Sequence, residues 1–165
     1  MTALSTHPYA DDKEAFALFR RFTDSEFTRL SRLLHSLDLA GHQTVYQQDA
    51  QAVSFYLLKS GSLSLQRCGE DGKMHRLAVV PAGRSLGRAA LWPEESRHPE
   101  TALTLEPCIL LALVRQDFLM LQKKEPALAL KLLTALQQEV YQEWLDSRIE
   151  FHALTARLNQ ANILL

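Results

Sequence analysis

The distribution of glycine divides this chain into two parts that must fold differently. All six glycines lie between Gly41 and Gly87, whereas residues 127–165 contain neither glycine nor proline. Glycine supplies the positive φ angles of tight turns, so the glycine-rich section is predicted to consist of strands joined by turns. The uninterrupted C-terminal section is predicted to be one long helix, with Pro126 at its first position.

Short apolar or alternating runs in and after the glycine-rich section predict an antiparallel β structure. The predicted strands are 54–58, 63–67, 76–80, 101–105 and 109–114. Between the second and third of these, Asp71 and Gly72 predict a two-residue hairpin, because both central positions of that turn favour positive φ. Glu106 and Pro107 predict the turn before the last strand.

Two short helices are predicted to precede the strands. Residues 1–10 show no apolar period and are expected to form a flexible N-terminus. Three phenylalanines share one face of the first helix: Phe16, Phe19 and Phe22. Thr23 and Glu26 form a capping box that begins the second helix, and Gly41 is predicted to end it. The inward face of this second helix is predicted to hold Phe27, Leu30, Leu33, Leu34 and Leu37.

Charge and cysteine content argue against several classes of protein. Lys and Arg number 18 and Asp and Glu number 19, so no global field favours nucleic acid or an anionic membrane. No apolar run approaches the ~20 residues that span a bilayer, and no membrane partner is expected. Cys68 and Cys108 lack CxxC spacing and follow no apolar secretion signal. These features predict a soluble protein in the reducing cytoplasm.

The sequence carries no catalytic or metal-binding pattern. The six histidines are scattered and do not have the spacing of metal ligands. No GxSxG motif, phosphate-binding loop or Cys/His arrangement indicates a nucleophile or phosphoryl transfer. We therefore expect a protein that is not an enzyme and that uses no metal or other cofactor.

The C-terminal section, residues 126–165, carries two seven-residue ladders typical of a coiled coil. The ladders are Leu133, Val140, Ser147, Leu154 and Ala161, and Gln137, Trp144, Phe151, Leu158 and Leu165. A helix packed only on its own domain is the alternative, but at about 1.5 Å per residue this helix outruns a small β core. Pairing with a second copy is therefore favoured, through Leu133, Val140, Trp144, Phe151, Leu154 and Leu158.

Helices, a β section interrupted by a loop, and a long final helix resemble the cyclic nucleotide-binding domain of the cyclic-AMP receptor and Fnr family. Three segments carry the resemblance: FYLLKSGSLSL (55–65), VVPAGRSLG (79–87) and LEPCILLALVRQDFLML (105–121). The resemblance covers roughly Phe16 to the C-terminus. It implies an α+β fold, an antiparallel β roll (double-stranded β-helix) with N-terminal helices over 11–125, followed by a dimerisation helix over 126–165.

The segment Arg84–Leu105 is similar to the family's phosphate-binding cassette, and we call it the cassette segment. The family reads Phe-Gly-Glu-(Leu or Ile)-Ala-Leu and later Arg-(Thr or Ser)-Ala-Thr, where this chain has LGRAAL (86–91) and ETALT (100–104). In the family the glutamate accepts from the ribose 2′-hydroxyl and the arginine holds the cyclic phosphate. The resemblance places Arg88 at the glutamate position and Glu100 at the arginine position.

This double change leaves three interpretations of the pocket open. An Arg88–Glu100 ion pair can close it; Arg88, with Arg97 or Arg84, can build a site for another anion; or Arg97 can restore ordinary nucleotide binding. A guanidinium fork suits a phosphate, whereas a carboxylate repels it. The candidate ligand-binding residues are Gly87, Arg88, Ala89, Ala90, Arg97, Glu100 and Thr101.

The favoured function is a regulatory or interaction module that forms a homodimer and answers to a protein partner. The alternative is a sensor that binds a cyclic nucleotide, a cyclic dinucleotide or another anion through a rewired cassette and signals through its dimer helix. Transcription factors of the family continue into a helix-turn-helix domain, whereas this sequence ends at Leu165 with few basic residues nearby. Direct DNA binding is therefore not expected.

Overall fold

A computed structural model of the protein describes residues 10–92, 94 and 96–162. The strands are β1 (Leu34–Leu39), β2 (Thr44–Tyr46), β3 (Ser54–Ser60), β4 (Ser62–Cys68), β5 (Met74–Pro81), β6 (Ser85–Leu86), β7 (Thr101–Thr104) and β8 (Cys108–Val114). The α-helices are α1 (Asp24–Ser31), α2 (Arg115–Lys124) and α3 (Pro126–Asn162). Short 3₁₀ turns occupy Ala10–Lys13, Ala17–Phe19 and Arg88–Leu91.

The strands form two antiparallel four-stranded sheets that face each other. Their orders are β1-β8-β3-β6 and β2-β7-β4-β5. Neighbours in each sheet are mostly distant in sequence, so the chain crosses between the sheets as a β roll. The predicted α+β roll, with helical segments before it and a long helix after it, is confirmed.

Two apolar clusters fill the molecule, and β3 and β8 contribute to both. Phe55 and Leu111 point towards a cluster formed with the N-terminal phenylalanines and the C-terminal helices. Leu58 and Leu110 point the opposite way, into the space between the two sheets. Because strand side chains alternate between faces, two strands can supply both clusters.

All five predicted strands are present, with ends that differ by a few residues. β1, β2 and β6 were not predicted. The predicted second helix is wrong beyond Ser31, because Leu34 and Leu37 belong to β1, which pairs with β8 from Leu34↔Leu113 to Leu39↔Cys108. Gly41 accordingly lies in the turn after β1 and does not end a helix.

The start of α1 follows the sequence prediction closely. The Thr23 backbone amide donates to Glu26 Oε2 at 2.7 Å, and the Glu26 amide donates to Thr23 Oγ1 at 3.2 Å, which confirms the capping box. The helix predicted before it is instead a pair of 3₁₀ turns, although Phe16, Phe19 and Phe22 are buried as expected. Residues 1–9 and Leu165 lie outside the described residues.

The β4–β5 hairpin is confirmed, but its turn is longer than two residues. The connection runs from residue 69 to residue 73, and the Gly69 amide donates to the Lys73 carbonyl at 2.9 Å. Gly72 takes positive φ, at 72°, whereas Asp71 does not. Asp71 instead accepts from the Lys73 amide with its side chain at 3.1 Å, so its carboxylate organises a wider loop.

α3 begins at Pro126, as predicted, and runs for 37 residues, a length of about 55 Å. Its first part is attached to the domain by buried side chains at helical spacing: Leu128, Ala129, Leu132 and Leu136. Beyond Leu136 the side chains on the same face become acidic, beginning with Glu139 and Glu143. No helix in the described part of the chain is long and apolar enough to cross a membrane.

The cassette segment makes a sharp turn at Gly87, between β6 and a 3₁₀ turn. Gly87 has φ of 69°, in the left-handed region that side chains disfavour. A Cβ atom at this position would also lie 2.8 Å from the Ser54 carbonyl oxygen and 2.9 Å from the Tyr56 ring. The turn therefore requires glycine for two separate reasons.

We expect Gly87→Ala to lower the free energy of unfolding by about 3 kcal/mol, from backbone strain and overlap together. Gly72→Ala is the matched control, because Gly72 has a similar φ but nothing within 4 Å of the added Cβ. That control should cost only about 1 kcal/mol. Urea unfolding of both variants measures the difference, and equal losses would contradict the close approach at Gly87.

Candidate ligand-binding site

A cavity of about 720 Å³ lies between the cassette segment, the end of β5 and the middle of α3. From α3 its walls receive Glu143, Asp146, Ser147 and Glu150. Of the predicted ligand-binding residues, Gly87, Arg88, Ala89, Arg97 and Glu100 line it. The structure thus gathers most of the predicted site around one space, and adds a wall from α3 that the sequence did not suggest.

Arg88 is bound to a carboxylate of α3. Its Nη1 donates to Glu143 Oε2 at 2.8 Å and its Nη2 donates to Glu143 Oε1 at 2.7 Å, the two-point geometry that a guanidinium makes best. Burial acts to lower the pKa of Arg88, but the hydrogen bonds and charge of Glu143, with the charge of Glu139, raise it overall. The guanidinium therefore stays charged and occupied.

Arg84 and Ser85, at the start of the cassette segment, contact the same pair of α3 carboxylates. Arg84 Nη2 donates to Glu143 Oε1 at 3.1 Å. Ser85 donates to Glu139 twice, from its hydroxyl at 2.7 Å and from its backbone amide at 3.3 Å. Arg88 Nε in turn donates to the Ser85 hydroxyl at 3.0 Å, which joins the contacts into one network.

The Arg88–Glu100 ion pair proposed from the sequence does not form. The ion pairs of Arg88 are with Glu143 and Glu139, at 2.7 Å and 3.5 Å. Glu100 instead accepts a hydrogen bond from the Tyr46 hydroxyl at 3.3 Å. The prediction failed because it considered only residues of the cassette segment, whereas α3 offers Arg88 a carboxylate with better geometry.

Burial raises the pKa of Glu100, and the Tyr46 hydrogen bond and the more distant charges of Arg88 and Arg67 oppose this only in part. The Tyr46 ring lies 3.8 Å from the His98 ring in a stacked arrangement. His98 is 2% exposed, and burial lowers its pKa. Glu100 is thus a half-buried carboxylate on the cavity wall.

The remaining predicted residues contribute little free anion-binding capacity. Arg97 donates through Nη1 to the Asp49 carbonyl oxygen. Thr101 accepts from the Gln48 amide at 3.0 Å. Ala90 is buried, and its amide donates to the Gly87 carbonyl at 3.1 Å. Ala89 lines the cavity and is partly buried against the apolar cluster that contains the N-terminal phenylalanines and the C-terminal helices.

The charged groups on the cavity wall do not create a positive pocket. The guanidinium groups belong to Arg84, Arg88 and Arg97, and the carboxylates to Glu100, Glu143, Asp146 and Glu150. Carboxylates therefore outnumber guanidinium groups, and the strongest guanidinium contacts are already made within the chain. Among residues 10–92, 94 and 96–162, no His, Cys, Asp and Glu side chains cluster as metal ligands.

Sequence reasoning missed Ser85, Tyr46, Glu139 and Glu143. The sequence does contain a signal for Glu139 and Glu143. Glu139 lies three residues after Leu136 and Glu143 lies seven residues after it, so both continue the face of α3 that carries Leu132 and Leu136. Carboxylates on a face that otherwise packs against the domain need a partner there. Tyr46 gave no comparable signal, because its strand was not predicted.

A family model of the cyclic nucleotide-binding domain matches residues 37–125, more than half of the chain. The chain therefore belongs to the cyclic nucleotide-binding domain family, and the resemblance identified from the sequence is confirmed. No curated protein matches the chain significantly.

Solved structures agree with this assignment. The N-terminal domain of a transcriptional regulator from Streptomyces coelicolor A3(2) is 25% identical, with a TM-score of 0.67, over 76% of this chain and 89% of that one. The catabolite activator protein of Thermus thermophilus is 25% identical, with a TM-score of 0.66, over 80% of this chain and 62% of that one. A cyclic nucleotide-binding domain from Methylobacillus flagellatus KT is 16% identical and shares the fold, with a TM-score of 0.75 over 84% of this chain and 82% of that one.

We expect Glu100→Gln to raise the melting temperature at pH 7. The raised pKa means that an ionised Glu100 costs the folded state stability above that pKa. Below the unfolded-state value of 4.5 the carboxyl group is protonated in both states, so the gain should disappear there. Glu70→Gln, in an exposed turn, is the control. Thermal melts from pH 4 to pH 8 test this, and a gain independent of pH would contradict it.

Proposed function

We propose that this chain is a non-enzymatic regulatory module whose cassette does not bind a cyclic nucleotide in the usual way. The observation that carries the proposal is the two-point contact between Arg88 and Glu143. Because both terminal nitrogens of Arg88 already donate to Glu143, this guanidinium has no free pair of donors for a phosphate. Glu100, at the family's arginine position, adds a carboxylate to the same wall.

The electrostatic cost of placing a phosphate in this cavity is large. Two like charges ~4 Å apart repel by about 4 kcal/mol at an effective dielectric constant near 20. Micromolar binding corresponds to about 8 kcal/mol in total, so one such contact would remove roughly half of it. The displaced Glu143 would also need a new partner for its charge.

The exposed part of α3 supports the proposal that two copies pair. Val140, Trp144, Phe151, Leu154 and Leu158 are 44–67% exposed and follow one another at steps of four, seven, three and four residues, with the polar Ser147 at the position that the step of seven skips. Such a stripe is typical of the seam of a coiled coil, and a chain seldom leaves so many large apolar side chains in water without a partner. Leu133 lies half-buried against its own core and stands at the edge of this seam.

In this proposal the input comes from a protein partner, and the α3 pair transmits it. Absence of enzymatic activity, of a metal or other cofactor, and of direct DNA binding all remain predictions. A cytoplasmic location also remains part of the proposal, and the two free cysteines support it.

One observation favours the alternative, in which the protein is a sensor of an anionic ligand. The cavity of about 720 Å³ has the volume of a small-molecule pocket, and it is bordered by Arg84, Arg88 and Arg97. A ligand that displaced Glu143 from Arg88 would move α3 directly.

The proposal predicts no thermal stabilisation by cyclic AMP, cyclic GMP or cyclic di-GMP. A ligand at 100 times its dissociation constant adds about 2.7 kcal/mol, so binding would be easily visible in a thermal-shift titration. Arg88→Ala is measured alongside the native protein. A saturable shift that disappears in Arg88→Ala would contradict the proposal and establish the sensor alternative.

The seam predicts a dimer that Phe151→Glu dissociates. Burying a carboxylate from each copy should weaken association about 100-fold. Ala153→Glu is the control, because Ala153 is exposed on the opposite side of α3. Sedimentation equilibrium measures both. A native protein that sediments as a monomer, or a dimer equally sensitive to both changes, would contradict the seam.

A further inference from the structure

In the contact between the cassette segment and α3, donors of the cassette segment surround carboxylates of α3 in the way that a binding site surrounds an anionic ligand. We propose that Glu143, supported by Glu139, is a built-in carboxylate ligand of the cassette segment, which holds α3 against the β roll without any external molecule. The inference rests on the proposed function in one respect, namely that α3 carries the signal. It assigns the cassette segment a chemical preference for carboxylates.

The geometry at Glu143 is that of ligand recognition. Both carboxylate oxygens are bound by Arg88, at 2.7 Å and 2.8 Å, and Arg84 adds a third donor at 3.1 Å. A carboxylate and a phosphate present similar pairs of oxygen atoms to a guanidinium fork. Glu143 therefore occupies Arg88 in the way that an external oxyanion would.

Glu139 extends the same recognition by one helical turn. Its two oxygens accept from the Ser85 hydroxyl at 2.7 Å and from the Ser85 amide at 3.3 Å, and Arg88 Nη2 lies 3.5 Å away. Residues four apart on a helix point in the same direction. A short stretch of the cassette segment thus binds two successive carboxylates of α3.

The contact of Arg88 with Glu139 and Glu143 is more shielded than an exposed ion pair such as Arg29–Glu125, and about as shielded as the Lys131–Glu26 pair, whose side chains are 32% and 24% exposed. The side chains of Arg88, Glu139 and Glu143 are 26%, 12% and 33% exposed. In the Arg29–Glu125 pair, by contrast, the side chains are 42% and 38% exposed. Water and salt screen exposed pairs strongly, so such pairs contribute little, whereas a shielded and multiply bonded pair retains more of its attraction.

The contact also sets the direction in which the dimer seam faces. Glu143 and Trp144 are consecutive, so their side chains leave the helix about 100° apart. When Glu143 is seated on Arg88, the rotation of α3 is fixed, and with it the orientation of Trp144. The cassette segment therefore controls how two copies meet, even with no external ligand.

Chemical rescue tests the carboxylate site directly. Glu143→Ala removes a group of the size of acetate, so acetate should raise the melting temperature of this variant by several degrees over chloride at equal ionic strength. The native protein should show no such difference, because Glu143 already fills the site. The double variant Arg88→Ala/Glu143→Ala should show none either, because its site lacks the Arg88 guanidinium. A Glu143→Ala protein with no response specific to acetate would overturn the proposal.

Hydrogen exchange provides a second test with an isosteric change. In Glu143→Gln, amides of residues 137–150 should exchange about tenfold faster. This factor corresponds to a loss of ~1.4 kcal/mol in the free energy of local opening. Glu125→Gln breaks the exposed pair with Arg29 and should leave this segment unchanged. Unaltered exchange in Glu143→Gln would also overturn the proposal. Nucleotide binding by the native protein would refute only the proposed function, because neither test involves nucleotide.

Discussion

The central position of β8 is the constraint on which the rest of the molecule depends. β8 pairs with β1 on one side and with β3 on the other, and its side chains alternate between the two apolar clusters. Leu111 and Leu113 anchor the helices, whereas Leu110 and Ala112 fill the space between the sheets. Because one strand joins both clusters, the helices and the roll cannot be placed independently, and α3 is brought beside the cassette segment by the same packing.

The site is a consequence of that placement combined with the opposite charges of Arg88 and the α3 carboxylates Glu139 and Glu143. An arginine at position 88 would be unsatisfied beside an apolar helix, and carboxylates at positions 139 and 143 would be unsatisfied beside an apolar sheet. Together they neutralise one another in a partly shielded setting, where a charge left without a partner is costly. Glu100 forms no such close ion pair with the described residues; it accepts a hydrogen bond from the Tyr46 hydroxyl and feels the charges of Arg88 and Arg67 only from a greater distance.

Sequence reasoning succeeded where the controlling interactions are local. The α1 capping box and the Pro126 start of α3 depend on residues a few positions apart, and the five predicted strands carry clear alternation or short apolar runs. It failed for β1, whose residues are helical by their own pattern but pair with residues of β8 that lie 69 to 79 positions later. It also paired Arg88 with the wrong carboxylate, because Glu143 is separated from it by 55 residues. Only the folded chain shows which distant charges meet.

The change along α3 from leucines to glutamates gives this helix two kinds of attachment. Up to Leu136 it is held by buried apolar side chains, which respond little to salt or to competing ions. Just beyond that residue, at Glu139 and Glu143, its contacts with the cassette segment are ionic, and these respond to both. The part of α3 up to Leu136 is therefore anchored firmly, whereas the part beyond it, about 40 Å long, would be free to tilt if the ionic contacts were broken. A tilt of roughly 10° at the base would displace the far end by about 7 Å, which is more than the pitch of a helical turn.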